Sequence, residues 1–474
     1  MNKLIKKIAC MGVVFAMLIS SVSCERKSNA KEDSINNNEN YVLKPIGNYN
    51  TQETYKYTNE GIKQSPKETF VSDDGLCTIV VYPDYYDVTL DYEKGTPSEV
   101  GASYARTIMR SFAKYEEITE SYIYENIRLA FSGQAVKYEA IEERMNVLLS
   151  SIQDEYRTEI ISFAKNISEG EKGFLENGDI SYEEAIIMQM IPDALRGTSC
   201  SALSLWGSKT QTGKGITLRC LEWSLGSENQ ICRYSAIVHM KKGDRSITSI
   251  GILGVMDIIS AVNDDGVFVG ILDVGANDYP FAYEGKMCYT YAIRHALEEY
   301  DNATDTGNYM VKNSGDFTWC HNLIITDANN SYCAENCVQE VSDDGKGFSV
   351  LRDAKTPIMD GLDWDSEDSL CVLNSFMTEG NMDYFSGNSS NLVRFEKYNK
   401  WVLEKEKFSV ADVKDMITQE KVDQSKVINV HRNGAVHLVI IDYATDNIQI
   451  AFTGDEGVVD KPVFIDAGSF RNKD

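Results

Sequence analysis

The sequence predicts an α+β protein, antiparallel sheets covered by helices, on three observations. From Pro97 to about Ile191, apolar residues recur at three- and four-residue spacing, which is the helix period. After Arg196 the pattern switches to short β-rich runs bounded by turn signals such as Asp264-Asp265-Gly266. Helical stretches at 286–300, 391–405 and 409–419 interrupt those runs.

In chain order, the first residues have the form of an export signal. Lys3, Lys6 and Lys7 make a basic start, and Ile8 to Ile19 form an apolar run shorter than a membrane span. Ser21-Val22-Ser23 then meets Cys24, which resembles a bacterial lipoprotein processing site with Ser21 where Leu is usual. The reading is a signal peptide over 1–23 and a lipidated Cys24, hence an exported protein anchored to a membrane and facing the cell envelope. An ordinary secretory peptide is the alternative. Residues 24–66 are polar and Asn-rich, too poor in apolar side chains to offset chain entropy, and are expected to form a flexible tether.

Residues 67–199 are expected to be mainly helical. Two long amphipathic stretches lead to "SYEEAIIMQMIPDAL", where Ser181 is placed to cap a helix and Glu184 to answer from the third position. Strands are expected at 200–207, 216–223, 233–240, 246–253, 256–262, 267–273, 321–327, 332–339, 370–374, 435–442 and 446–452, within a core spanning 200–474.

Composition narrows the function. A formal net charge of −26 opposes phosphate backbones, so nucleic acid is excluded as a partner. Of eleven Cys, Cys10 falls in the signal and Cys24 is the lipid site, leaving an odd nine for an exported chain, which points to at least one working thiol. Cys333 and Cys337 have no second pair or nearby His to complete a zinc set, so neither metal nor cofactor is expected.

A nucleophilic Cys needs a base, and none of the five His lies in a recognisable signature with a Cys. A Cys at a chain terminus supplies its own base, because an α-amine has a pKa of about 8. Cys200 heads the stretch "CSALSLWGSKTQTGKGITLRCLEW", and it becomes such a terminus if the Ser199–Cys200 bond is cut.

That stretch resembles the mature start of N-terminal nucleophile hydrolases of the acyl-coenzyme A:6-aminopenicillanic acid acyltransferase type. These are related to choloylglycine hydrolases, acid ceramidases and phospholipase B-like proteins. Arg219, Leu221 and Trp223 match the family's Gly-Arg-Asn-Leu-Asp-Trp pattern, while Leu218, Cys220 and Glu222 replace its Gly, Asn and Asp. Further stretches, up to "AVHLVIIDYATDNIQIAFTG", extend the likeness over roughly 95–460.

The resemblance implies a four-layer α-β-β-α fold and residue roles. Cys200 would be the nucleophile and its freed amine the base. Arg219 would lower the thiol pKa, and Glu222 would fix the amine. Asn263 and Asn374 would donate to the oxyanion, and Arg394 would add electrostatic support. Read without the family, Cys200 is a packing thiol, Arg219 and Glu222 an ion pair, and Asn263 a turn residue. Trp206 and Trp223 are assigned to the core, with an acyl pocket as their other use. Loops 274–286, 305–318 and 377–390 are where pocket residues would come from.

The implied activity is hydrolysis of a linear amide in a small N-acyl substrate through a thioester, or transfer of the acyl group to an amine. A phospholipase B-like ester hydrolase and a non-catalytic ligand-binding lipoprotein on a degenerate scaffold are the alternatives.

Overall fold

The computed structural model describes residues 56–131, 134–195, 199–274, 283–338, 347–381, 389–422 and 430–471. The expected signal peptide, Cys24 and most of the tether lie outside the described residues, as do 275–282 and 382–388 of the expected pocket loops.

The segment before Cys200 opens with three strands, β1 (Glu68–Val71), β2 (Cys77–Val81) and β3 (Tyr86–Asp91). These three strands add to a segment that was expected to be mainly helical. Burial alternates along β2 and β3, with Cys77, Ile79, Val81, Tyr86, Val88 and Leu90 inside, which is the strand period rather than the helix period. Helices follow: α1 (Pro97–Ser111), α2 (Tyr115–Ala130), α3 (Tyr138–Ser151), α4 (Asp154–Ile167), α5 (Tyr182–Met188) and α6 (Ile191–Ala194). A capping box of Thr96 with Glu99, and Pro97 at the first turn, starts α1; Ser181 with Glu184 starts α5 in the same way.

Beyond these come β4 (Ser199–Leu205), β5 (Ile216–Glu222), β6 (Ser235–Lys242), β7 (Arg245–Ile252), β8 (Ser260–Asn263) and β9 (Phe268–Asp273). After α7 (Tyr289–Glu299) and α8 (Ala303–Lys312) follow β10 (His321–Thr326), β11 (Ser331–Asn336), β12 (Val350–Arg352) and β13 (Ser369–Val372). The chain closes with α9 (Ser389–Glu404), α10 (Val410–Ile417), β14 (Ala435–Asp442), β15 (Asn447–Phe452) and β16 (Ile465–Ser469). Helix α8 falls where a loop was expected. Its Gly307 explains the weak signal: a Cβ there would sit 2.5 Å from Leu351 Cδ1, so close packing on β12 selects a residue that disfavours helix.

The strands form two sheets. One runs β1-β2-β3-β6-β7-β8-β9-β10-β11-β12 and the other β13-β4-β5-β14-β15-β16. Neighbours are antiparallel except β3 and β6, which run parallel with Tyr86 opposite Ala236. The segment before Cys200 thus shares a sheet and a core with the segment after it.

Strand parity decides what each side chain of β4 and β5 meets. Ser204 bonds Ser331 at 2.8 Å, Thr217 bonds Thr326 at 3.1 Å, and Arg219 reaches the Ile271 carbonyl at 2.7 Å, so these positions face β9 to β11. Leu203, Leu218 and Cys220 point the other way, into a second core with Phe395 and Tyr398 of α9 and Val413 of α10. Helix α7 packs on β7 and β8, and α8 on β10 and β11.

Candidate active site

The β4–β5 hairpin places Cys200 opposite Leu221, two residues along from Arg219. Cys200 is fully buried, and each of its polar atoms has a partner. Arg219 Nη2 donates to the sulfur at 3.7 Å, the Cys200 N–H donates to Asn374 Oδ1 at 2.6 Å, and Arg394 Nη1 donates to the Cys200 carbonyl at 2.8 Å.

Arg219 reaches the sulfur because of Gly270. A Cβ at 270 would lie 2.5 Å from Arg219 Cδ and 2.6 Å from Nε, so the absence of a side chain on β9 opens the guanidinium's path between the sheets. Its Nη1 lies 3.3 Å from His437 Nε2. Arginine only donates, so His437 accepts there. Burial, followed by the charge of Arg219, holds His437 well below the usual histidine range and keeps it neutral.

Asn374 follows β13 in a segment gripped on both sides: Asn322 Nδ2 donates to the carbonyls of Leu373 at 2.9 Å and Ser375 at 2.8 Å. The Asn374 amide oxygen takes the Cys200 N–H, and its Nδ2 donates to the Asp273 carbonyl at 2.6 Å. The expectation that Asn374 offers its N–H to an oxyanion is therefore corrected for the uncut chain. A peptide N–H on one side and a carbonyl on the other fix which way the amide faces.

Glu222 is displaced from its expected task too. Its carboxylate lies 2.8 Å from Arg432 Nε and 3.6 Å from Arg394 Nη1, not on the Cys200 nitrogen. Its parity points it toward α9, and two guanidiniums compete for it there. Arg394, on α9, ties this group to Cys200 through the Cys200 carbonyl, Asn374 Oδ1 at 3.1 Å and Asn391 Oδ1 at 2.5 Å.

Asn263 is not brought to the thiol. Ser260 reaches His437 at 3.2 Å, and three residues on, the alternation of β8 turns Asn263 to the other face. There its Nδ2 donates to the carbonyls of Leu297 at 3.0 Å and Tyr300 at 2.9 Å, and its oxygen accepts from the Val267 N–H at 2.8 Å. It closes a turn and satisfies carbonyls at the end of α7.

The Cys200 thiol is pushed up from its ordinary value by burial, with the charge of Arg219 opposing the shift. The expected lowering is thus outweighed in the uncut chain, because desolvation disfavours the thiolate more than one guanidinium favours it. Burial pushes the Cys220 thiol up as well, and the Glu222 carboxylate adds to the shift.

The structure thus gathers Cys200, Ser199, Arg219, Asn374 and Arg394, attaches Glu222 through its arginines, and leaves Asn263 out. Trp223 belongs to the same buried cluster as Cys200, and Trp206 packs against it. Sequence reasoning missed Arg432, Asn391, Asn322 and His437. Arg432 follows Glu222 by 210 positions and belongs to no periodic run, so no local signal marks it.

No protein-family model matches the chain, and no curated protein does. Among solved structures, it is similar to a Caenorhabditis elegans ortholog of N-acylethanolamine-hydrolyzing acid amidase, at 12% identity and TM-score 0.35, over 51% of this chain and 92% of that one. A variant of the conjugated bile acid hydrolase from Clostridium perfringens matches at 10% identity and TM-score 0.36, over 58% and 95%. Penicillin V acylase from Agrobacterium tumefaciens matches at 10% and 0.29, over 53% and 83%. At these identities and scores the likeness carries no argument about this chain's chemistry.

Proposed function

We propose that this chain is a cysteine hydrolase of linear amides that activates itself by cutting the Ser199–Cys200 bond, on a four-layer α-β-β-α N-terminal nucleophile hydrolase fold. One observation carries the reading: the sulfur, nitrogen and carbonyl oxygen of one buried Cys are each held by a separate polar side chain, Arg219, Asn374 and Arg394. A packing thiol needs none of these, and burying two arginines around one is costly. Helices on the outer faces of two facing sheets support the layered fold.

In the uncut chain the Cys200 nitrogen is an amide and cannot act as a base. Cutting turns it into an amine with an ordinary pKa of about 8. Asn374 Oδ1 then accepts from that amine and orients its lone pair, so it can take the thiol proton as sulfur attacks the substrate carbonyl and return it to the leaving nitrogen. Arg219 stabilises the anionic sulfur in between. Water resolves the thioester, or an amine does, giving transfer. Exported and lipid-anchored at Cys24, the enzyme would meet small N-acyl substrates at the envelope face of a membrane.

The test is to trap the acyl-enzyme. The self-cut protein is mixed with a panel of N-acyl amides and acyl esters, quenched in acid, and the fragment beginning at Cys200 is weighed. An increment equal to the acyl group, with amides ahead of esters, is the expected result. Faster acylation by esters would favour the lipid esterase. No increment from any of them, with thermal stabilisation by one, would favour the non-catalytic binding lipoprotein.

A further inference from the structure

The contacts described so far act on one side of the bond to be cut: Arg219 on the Cys200 sulfur, Asn374 on its nitrogen, Arg394 on its carbonyl. Among the described residues, the side chain found on the other side, holding Ser199, is that of Arg432. Its Nη2 donates to Ser199 Oγ at 2.5 Å, its Nε and Nη2 to Glu222 Oε2 at 2.8 and 2.5 Å, and its Nη1 to Ser390 Oγ at 2.8 Å.

The chain builds this placement deliberately. Arg432 begins the turn into β14, where Gly434 takes a φ of 97° that favours glycine. The Trp223 N–H donates to the Gly434 carbonyl at 2.8 Å, which ties the turn to the end of β5, one residue past Glu222. The guanidinium is buried, so its orientation is set by these partners rather than by solvent. Arg394 and Arg432 share the single carboxylate of Glu222, at 3.6 and 2.5 Å.

We propose that Arg432 is a positioning residue for self-cleavage: through its bond to Ser199 Oγ it fixes Ser199 against the thiol. This rests on the self-cleavage reading above. In the first step the Cys200 sulfur bonds to the Ser199 carbonyl carbon, the bond from that carbon to the Cys200 nitrogen breaks, and the thiol proton ends on that nitrogen. In the second step water adds its hydroxyl to the Ser199 carbon, the carbon–sulfur bond breaks, and the sulfur takes the remaining hydrogen.

The test measures the self-cleavage rate by intact mass in the full exported chain, for wild type, Arg432→Lys, Arg432→Ala, Ser199→Ala and the Arg432→Ala/Ser199→Ala double variant, with thermal unfolding alongside. Loss of a buried charged hydrogen bond predicts cleavage slowed about 10- to 100-fold in Arg432→Ala. Ser199→Ala should slow it less. The double variant should be no slower than Arg432→Ala, because both changes remove one contact. Arg432→Lys should keep the fold and regain part of the rate. Should Arg432→Ala fail to fold, Arg432→Lys and Ser199→Ala carry the comparison, and wild-type rates in both would overturn the proposal. So would a wild-type rate in folded Arg432→Ala, or strict additivity in the double variant. These outcomes leave self-cleavage itself standing. An uncut wild-type chain sinks both readings together.

Discussion

Replacing Gly270 by Ala tests the link between the sheet and the thiol without touching any group that reacts. The added Cβ would lie 2.5 Å from Arg219 Cδ and 3.2 Å from Ile324 Cγ2, whereas carbon atoms rest about 3.5–4 Å apart, so Arg219 must retreat by ~1 Å. At an effective dielectric of about 20, unit charges 3.7 Å apart attract by ~4.5 kcal/mol, and ~1 Å more removes ~1 kcal/mol. That raises the thiol pKa further, and ~1 kcal/mol is about a fivefold change in the thiolate population. Below that pKa, cleavage through the thiolate slows about fivefold. Stretching the 2.7 Å bond to the Ile271 carbonyl costs a further ~2 kcal/mol of stability. The assay is the self-cleavage rate against pH, with urea unfolding of the same variant carrying Cys200→Ala. A rise in the rate profile displaced toward higher pH, in a folded but weaker protein, is expected. A wild-type profile would show that Arg219 does not govern the thiol.

Asn263→Ala should destabilise the fold by ~2–4 kcal/mol, since two carbonyls and one N–H lose their partner, yet leave the pH dependence of self-cleavage unchanged; a displaced pH profile would return Asn263 to the site. Asn374→Ala takes the acceptor from the Cys200 N–H and one donor from the Asp273 carbonyl, so cleavage should fall at least tenfold, and a normal rate would remove Asn374 from the mechanism. His321 is held down to about 4 by burial, with Nδ1 donating to the Trp319 carbonyl and Nε2 accepting from Asn336. The unfolded chain binds the extra proton first, so this stability is present above about pH 6.5 and is lost as pH falls through about 4, some 3 kcal/mol in all. Urea midpoints of the Cys200→Ala protein and of its His321→Phe variant should diverge at neutral pH and converge in acid; parallel curves would contradict the assignment.

The β4–β5 hairpin was legible because its residues alternate between two cores, and the same alternation marks β14 and β15. Strands β1 to β3 were overlooked because the helical pattern from Pro97 onward dominates that segment, although Cys77, Ile79 and Val81 carry the period of two. Asn263 misled for a physical reason. A turn amide and an oxyanion donor are the same group, and only strand parity, counted from Ser260, says which face it takes. Glu222 was found but not its partners. A buried carboxylate needs a cation, and nothing in the local sequence says that Arg432 supplies it.

The central claim is that Cys200 becomes a chain terminus. Its most direct measurement is the intact mass, reduced and denatured, of residues 24–474, beside the same chain with Cys200→Ala. The account predicts two fragments in the first, the second beginning at Cys200, and one uncut chain in the variant. A single chain in both after long incubation would contradict it, because the nitrogen held by Asn374 would then remain an amide, with no basic lone pair to take the thiol proton.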